Sequence, residues 1–310
     1  MSAEIESLFY VREKPWHGLG TKVMEAPDSR AALALAGLDW DVVQEPVYTE
    51  DQHIIPGYRA NRRDTDGTIL GIVSDRYKVV QNRDSFAFTD ALLGHGVRYE
   101  TAGSLMGGRR VWILARLPRE YIISGEHISP YLVFSNSHDG SGAVKVAVTP
   151  VRVVCNNTLN LALNTAERSF SMMHTCNIQE KMEEAKNTLF MAETYMEQLG
   201  MEFDRLRTIK ITDDQVSDFV EQLLPLDKNP TARQKKNTDH LRDDLMARYY
   251  YAPDLDNVGK NAYRFLNAVS DFATHARPIR QTANFKENLF ARTVDGNPLI
   301  DKAYQLILAA

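Results

Sequence analysis

Residues 131–166, YLVFSNSHDGSGAVKVAVTPVRVVCNNTLNLALNTA, restrict the possible folds more than any other part of the chain. Apolar and polar residues alternate, reverse around Asp139-Gly140, and resume as a long alternating run over 143–154. Two alternating runs joined by a Gly-containing reversal predict a β-hairpin. The spacing then becomes helical, entered at Asn156 or Asn157, whose side chain can satisfy otherwise unpaired helix amides. Upstream, the period of two predicts strands over 97–105 and 109–117, joined by Gly107-Gly108. An antiparallel meander follows, with a helix over 157–166 packed across one face through Leu159, Ala162 and Leu163. The expected fold is α+β, with a mainly helical C-terminal part.

Around that centre the punctuation is readable. Asp28 or Ser29 caps a short Ala/Leu helix that stops at Gly37, and strands over 54–61 and 68–74 flank a polar turn containing Arg62-Arg63. Asn82 is expected to cap a helix that ends at Gly94 or Gly96. Beyond residue 166 Ile178, Met182, Ala185, Leu189, Ala192, Met196 and Leu199 form one helical seam ending at Gly200. That seam either packs on the chain's own sheet or pairs with a second copy, and residues 178–199 are the expected route to a homo-oligomer. Thr212-Asp213-Asp214-Gln215 resembles a capping box, and helices are expected over 241–250, 262–276 and 299–308. The polar segment 227–239, with Arg233, Lys235 and Lys236, reads as a solvated loop or helix lead-in able to touch phosphate. A seam near 170–177 divides an α+β core (1–170) from a helical region (171–310).

A net charge of -5 argues against a wholly basic nucleic-acid binder, so charge has to be read region by region. With only Cys155 and Cys176, neither a disulfide framework nor a cysteine-rich metal site is expected, and a reducing cytoplasm is the expected compartment. No run approaches a membrane span, so no membrane partner is expected. The chain has no GxxxxGK[ST] loop, strand-GxGxxG-helix unit, HExxH or GxSxG. No cofactor, metal or catalytic residue is therefore assigned. The one enzymatic alternative places Cys155 at a strand-to-helix junction, with His138 or His174 as its base. His17, beside Trp16 in a glycine turn, is a packed lead-in or a functional imidazole.

The sheet carries the sharper functional signal. On 109–117, Val111, Ile113, Ala115 and Leu117 point one way, and Arg110, Trp112, Leu114 and Arg116 the other. A bulge at Pro150 would bring Lys145 and Arg152 to that second face. Arg110, Trp112, Arg116, Lys145 and Arg152 then form the expected single-stranded nucleic-acid surface, cations for phosphates and an aromatic ring for unstacked bases. The alternative is that Trp112 and Leu114 belong to a second covered face, with the cations at its rim.

Four segments, Trp16-His17-Gly18-Leu19-Gly20, Ile72-Val73-Ser74-Asp75-Arg76-Tyr77, Thr149-Pro150-Val151-Arg152-Val153-Val154-Cys155-Asn156-Asn157-Thr158-Leu159 and Asn284-Phe285-Lys286-Glu287-Asn288-Leu289-Phe290, resemble the phage/plasmid-like protein family, a domain of unknown function. The resemblance runs over nearly the whole chain and implies a phage, prophage or plasmid origin, and with it action in a bacterial host cytoplasm. The order of elements is also similar to phage single-strand annealing recombinases, which form rings and bind DNA along a basic groove. This similarity implies single-stranded DNA binding and annealing in recombination or replication, without nucleotide hydrolysis. The alternative is an anti-defence or regulatory factor that engages a host protein.

Overall fold

The structure, a computed structural model, describes all residues except 1–4, 12–20, 26, 95–97, 118–120, 124, 153–156, 159–168, 178–179 and 277–296. The chain forms an α+β fold of two compact units, neither of them continuous in sequence. The first comprises 1–118, 131–148 and 168–192, and the second 119–130, 149–167 and 193–310.

In the first unit β1 (Ile5–Tyr10), β2 (Thr21–Lys22), β6 (Tyr99–Leu105), β7 (Arg110–Arg116), β9 (Glu126–Ser137) and β10 (Val144–Arg152) line up in the order β10-β9-β7-β6-β1-β2, with β12 (Ser169–Met172) on β10. The β6–β7 and β7–β9 pairs are antiparallel, as a meander requires. Three successive left-handed residues, Met106, Gly107 and Gly108, turn β6 into β7, and the two glycines adopt this geometry without a Cβ clash. On one face of the sheet Val111, Ile113, Ala115, Leu132, Phe134, Val144, Val146 and Val148 join Phe86 and Phe88 of α2 (Asn82–Leu93) and Ala32 of α1 (Ser29–Leu35) in a core. Asp28 caps α1 as expected, its carboxylate accepting the Ala31 amide at 2.9 Å.

A separate antiparallel sheet, β3 (Val42–Tyr48), β4 (Ile54–Arg63) and β5 (Ile69–Ser74), also belongs to this unit. Arg62 and Arg63, expected in a turn, are the last residues of β4 instead. Arg63 is buried against the Trp40 ring at 4.7 Å and donates to the Gly107 carbonyl at 2.7 Å, which ties it into the strand.

The second unit is mainly helical. Within it β8 (Tyr121–Ile123) pairs with the start of β9, and β11 (Asn157–Thr158) with the end of β10. The helix expected from Asn157 thus begins as a strand, because 157–158 satisfy the backbone of Val151 and Arg152; residues 159–166 lie outside the described part. α3 (Met182–Thr208) continues through Gly200, since Phe203 and Leu206 one and two turns further are fully buried. α4 (Asp213–Leu223) and α5 (Ala232–Tyr251) each start in a complete capping box, Thr212 with Gln215 and Thr231 with Gln234. Most of the expected 227–239 loop is consequently helical from Ala232. Among the described residues, α6 (Ala262–His275) and α7 (Pro298–Ala309) follow.

Arg264 organises this second core. Its buried guanidinium donates to the carbonyls of Tyr249, Leu255 and Val258 at 2.6 Å and of Tyr250 at 3.2 Å. These carbonyls end α5 and line the following 3₁₀ turn, where backbone oxygens lack helical donors. Arg264→Met should lower unfolding stability by roughly 3–5 kcal/mol, because several buried acceptors lose their donors together. Urea denaturation followed by circular dichroism checks this, and a loss below about 1 kcal/mol contradicts the assigned role.

Candidate functional site

Cross-strand register fixes the second face of the meander. Arg110 lies opposite Ser137, Trp112 opposite Ser135, Leu114 opposite Val133 and Arg116 opposite Tyr131, and residues paired in this way share a face. On β10, Val144, Val146 and Val148 belong to the core side, so Lys145 stands on the face of Arg110 and Arg116. Three of the expected cations are therefore on one face of one sheet. Trp112 is on it too but is 7% exposed, and Tyr131, Val133 and Ala147 beside it are also buried. The face is covered at its centre, so the Trp112 ring is not presented for a base to stack on. The cations are half-buried around it. Arg152 ends β10 within the second unit; its side chain lies outside the described residues.

Arg110 has a defined electrostatic neighbour in the β9–β10 turn. Burial pushes the Asp139 carboxyl up, but bonds from the Ser137 and Ser141 hydroxyls and the Ser141 amide, with the Arg110 charge, outweigh it and hold the group below the usual carboxylate range. The turn is pressed onto β5: a Cβ added to Gly71 would come within 2.5 Å of the Asp139 Cα.

The same turn carries a polar cluster that sequence reasoning did not assemble. Asn61 of β4 donates to the His138 carbonyl at 2.7 Å, and Asn136 donates to Val80 at 3.0 Å. Asn82 donates its amide to the Leu38 and Trp40 carbonyls at 3.0 and 3.3 Å, which leaves its oxygen facing His138 Nε2 at 3.0 Å. That oxygen only accepts, so His138 carries its proton on Nε2. Its Nδ1 is then a buried acceptor without a hydrogen-bonding partner among the described residues, as is Asn136 Oδ1. His138 is fully buried, and its pKa is pushed down to about 3, first by desolvation and then by the charges of His174 and Arg63, against the opposing effect of Asp139.

Asn82, expected to cap α2, is thus its first residue and a hub between segments. Gln81 is the N-cap residue, and its side chain exchanges two hydrogen bonds with the Val42 backbone, at 2.8 and 3.0 Å, like a strand neighbour. His174 stacks on Tyr77 with ring centroids 4.3 Å apart, and its Nδ1 meets the Lys78 carbonyl at 3.1 Å. Burial lowers its pKa, while that bond opposes the shift. The Tyr77 hydroxyl donates to the Ser137 carbonyl at 2.6 Å, and burial raises its pKa. The cluster is closed to solvent and pairs imidazoles with amides and carbonyls, chemistry suited to locking segments together.

Of the enzymatic alternative, Cys155 lies outside the described residues, as does His17. Among the described residues no three His, Cys, Asp or Glu side chains converge as a metal ion would require. No described helix is long and apolar enough to cross a membrane.

Comparison with known proteins places this α+β chain at the level of a family. The model of the family described as Domain of unknown function (DUF932) matches residues 69–294, and the chain belongs to that family. The matched segment includes the meander, the β9–β10 turn and Tyr77 with both buried histidines. No curated protein and no solved structure matches the chain.

Because the folded His138 has a pKa below the unfolded value of about 6.5, the neutral ring contributes stability that is fully present above that pH and lost as pH falls toward 3. The stability difference between wild type and His138→Gln should therefore shrink between about pH 6.5 and 4, by up to roughly 1.4 kcal/mol per pH unit. Chemical denaturation of both proteins across that range tests it; a pH-independent difference would show that His138 is not the titrating group.

Proposed function

We propose that this chain is a phage-type nucleic-acid-binding protein that holds single-stranded DNA for annealing, in recombination or replication, without hydrolysing nucleotide. The observation that carries the reading is the common placement of Arg110 and Arg116 on β7 and Lys145 on β10 on one face of the meander, with β9 between the two strands. Cations spaced along one strand and across to another on the same face suit a run of phosphates, whose neutralisation releases counterions and supplies most sequence-independent affinity. With Trp112 buried, the bases are left unstacked by that ring and free to pair with a complementary strand. Outside this unit, Arg233, Lys235 and Lys236 are exposed in the first two turns of α5, where no acidic residue offsets them in the first turn. They form an independent candidate contact for phosphate.

Fluorescence anisotropy with labelled single- and double-stranded DNA over a salt series tests the proposal. Tight single-strand binding that weakens steeply with salt is expected. The triple variant Arg110→Ala, Arg116→Ala, Lys145→Ala should bind more weakly at low salt, and the slope of log K against log salt should shallow by about 2. Trp112→Phe should leave affinity unchanged, whereas Trp112→Ala should cost roughly 3–5 kcal/mol of folding stability. Loss of binding in an Arg233/Lys235/Lys236 alanine variant alone would move the contact to α5. Absence of single-strand binding at low ionic strength would overturn the function.

A further inference from the structure

The outer face of the β3–β4–β5 sheet is apolar where water should be. Of the thirteen large hydrophobic side chains exposed among the described residues, six lie here: Val43, Tyr48, Ile54, Tyr58, Ile69 and Ile72. Register places Val43, Tyr58, Ile69 and Ile72 on one side, and Tyr48 and Ile54 pair with each other at the end of the sheet, past a register shift. Val43 and Ile69 flank Arg62, and Ile72 lies opposite Ala60, while Tyr58, Ala60 and Arg62 recur at alternate positions of β4. The other side sends Val42, Asn61, Arg63, Leu70 and Val73 inward. An antiparallel sheet with one solvated face ordinarily alternates apolar inside and polar outside. Here both faces are apolar, and Tyr58 and Ile72 near the centre are 53% and 52% exposed.

We propose that this face is where two copies of the chain meet. Its central ions, Arg62 and Glu45, are bonded to each other at 2.7 Å, so they present one charge of each sign and no net charge. That balance gives a nucleic acid no excess of positive charge, and it gives an acidic or basic peptide nothing to oppose. A second copy is complementary to it, because an isologous contact brings residue i to j and j to i, and can set Arg62 of each copy against Glu45 of the other. Six half-exposed side chains of this size leave at most on the order of 600 Å² in contact with water, at the upper end of the largest patch on a typical monomer and short of the about 800 Å² per partner found in stable pairs. The helical seam offers no rival surface in its described part: Ala185, Met196 and Leu199 are buried in the chain's own cores.

Sedimentation velocity of the full chain over a concentration series tests this inference. The wild type should dimerise reversibly. Tyr58→Glu with Ile72→Glu should raise the dissociation constant by at least about tenfold while leaving the circular dichroism spectrum unchanged. The milder pair Tyr58→Ser with Ile72→Thr should weaken association in the same direction, which guards against a folding defect. Arg62→Glu should also weaken it, and adding Glu45→Arg should restore it. A wild type that stays monomeric at every concentration, or an assembly indifferent to these substitutions, overturns the proposal. So does a Tyr58→Glu, Ile72→Glu protein that loses single-stranded DNA binding without changing mass, since the face would then belong to nucleic acid. The sheet cations Arg110, Arg116 and Lys145 play no part in this test, so its result is independent of the DNA-binding result.

Discussion

The close seating of the β9–β10 turn on the small sheet is the contact on which the first unit depends. Gly71 leaves no room for a side chain against the Asp139 backbone, and Asn61 reaches past it to the His138 carbonyl. Once the turn is seated, His138 is cut off from water and must remain neutral, which in turn demands a neutral acceptor for its Nε2 proton. Asn82 meets that demand only because Leu38 and Trp40 hold its amide and fix which way it faces. Packing, protonation state and amide orientation are therefore one linked choice. A substitution at any of these positions disturbs the others, since a buried polar network is strong when satisfied and costly when one member is lost.

Much of the architecture is legible in the residues. Asp28, Gly94, the Gly107-Gly108 turn and the Thr212 capping box act locally, so the chemistry of a few neighbours is enough to place them. Alternation in β7 likewise gives the correct facing of Arg110, Trp112 and Arg116, because the two-residue period is geometric. Whether a face is covered is a tertiary property, and periodicity says nothing about it; hence the sequence leaves Trp112 open between a presented ring and a covered one, and it is buried. Gly200 misled for a related reason. Its intrinsic preference favours an end to α3, but burying Phe203 and Leu206 outweighs the roughly 1 kcal/mol that a helical glycine costs.

The polar cluster was illegible for a different reason. Asn61, Asn82, His138 and His174 are far apart in sequence, and each taken singly reads as turn, cap or stray imidazole. One signal was nonetheless present. The strand that runs through Tyr131 ends in Ser135, Asn136, Ser137 and His138, an unusually polar end for a central strand, and such a run asks for partners from elsewhere in the fold. In the second unit Arg264 gave still less warning, because a cation in an amphipathic helix is ordinarily read as solvent-facing. It is buried because its guanidinium reaches the carbonyls at the end of α5 and in the turn after it.

The interleaving of the two units also bears on how the molecule is made. The chain passes from one to the other five times, at 118/119, 130/131, 148/149, 167/168 and 192/193. A ribosome must therefore deliver residue 192 before the first unit has all its pieces, and by then two pieces of the second have already emerged. No continuous fragment contains either unit alone. Synthesis from N- to C-terminus cannot finish one before starting the other, so early strands such as β6 and β7 must wait, with apolar faces incompletely covered, for partners made later.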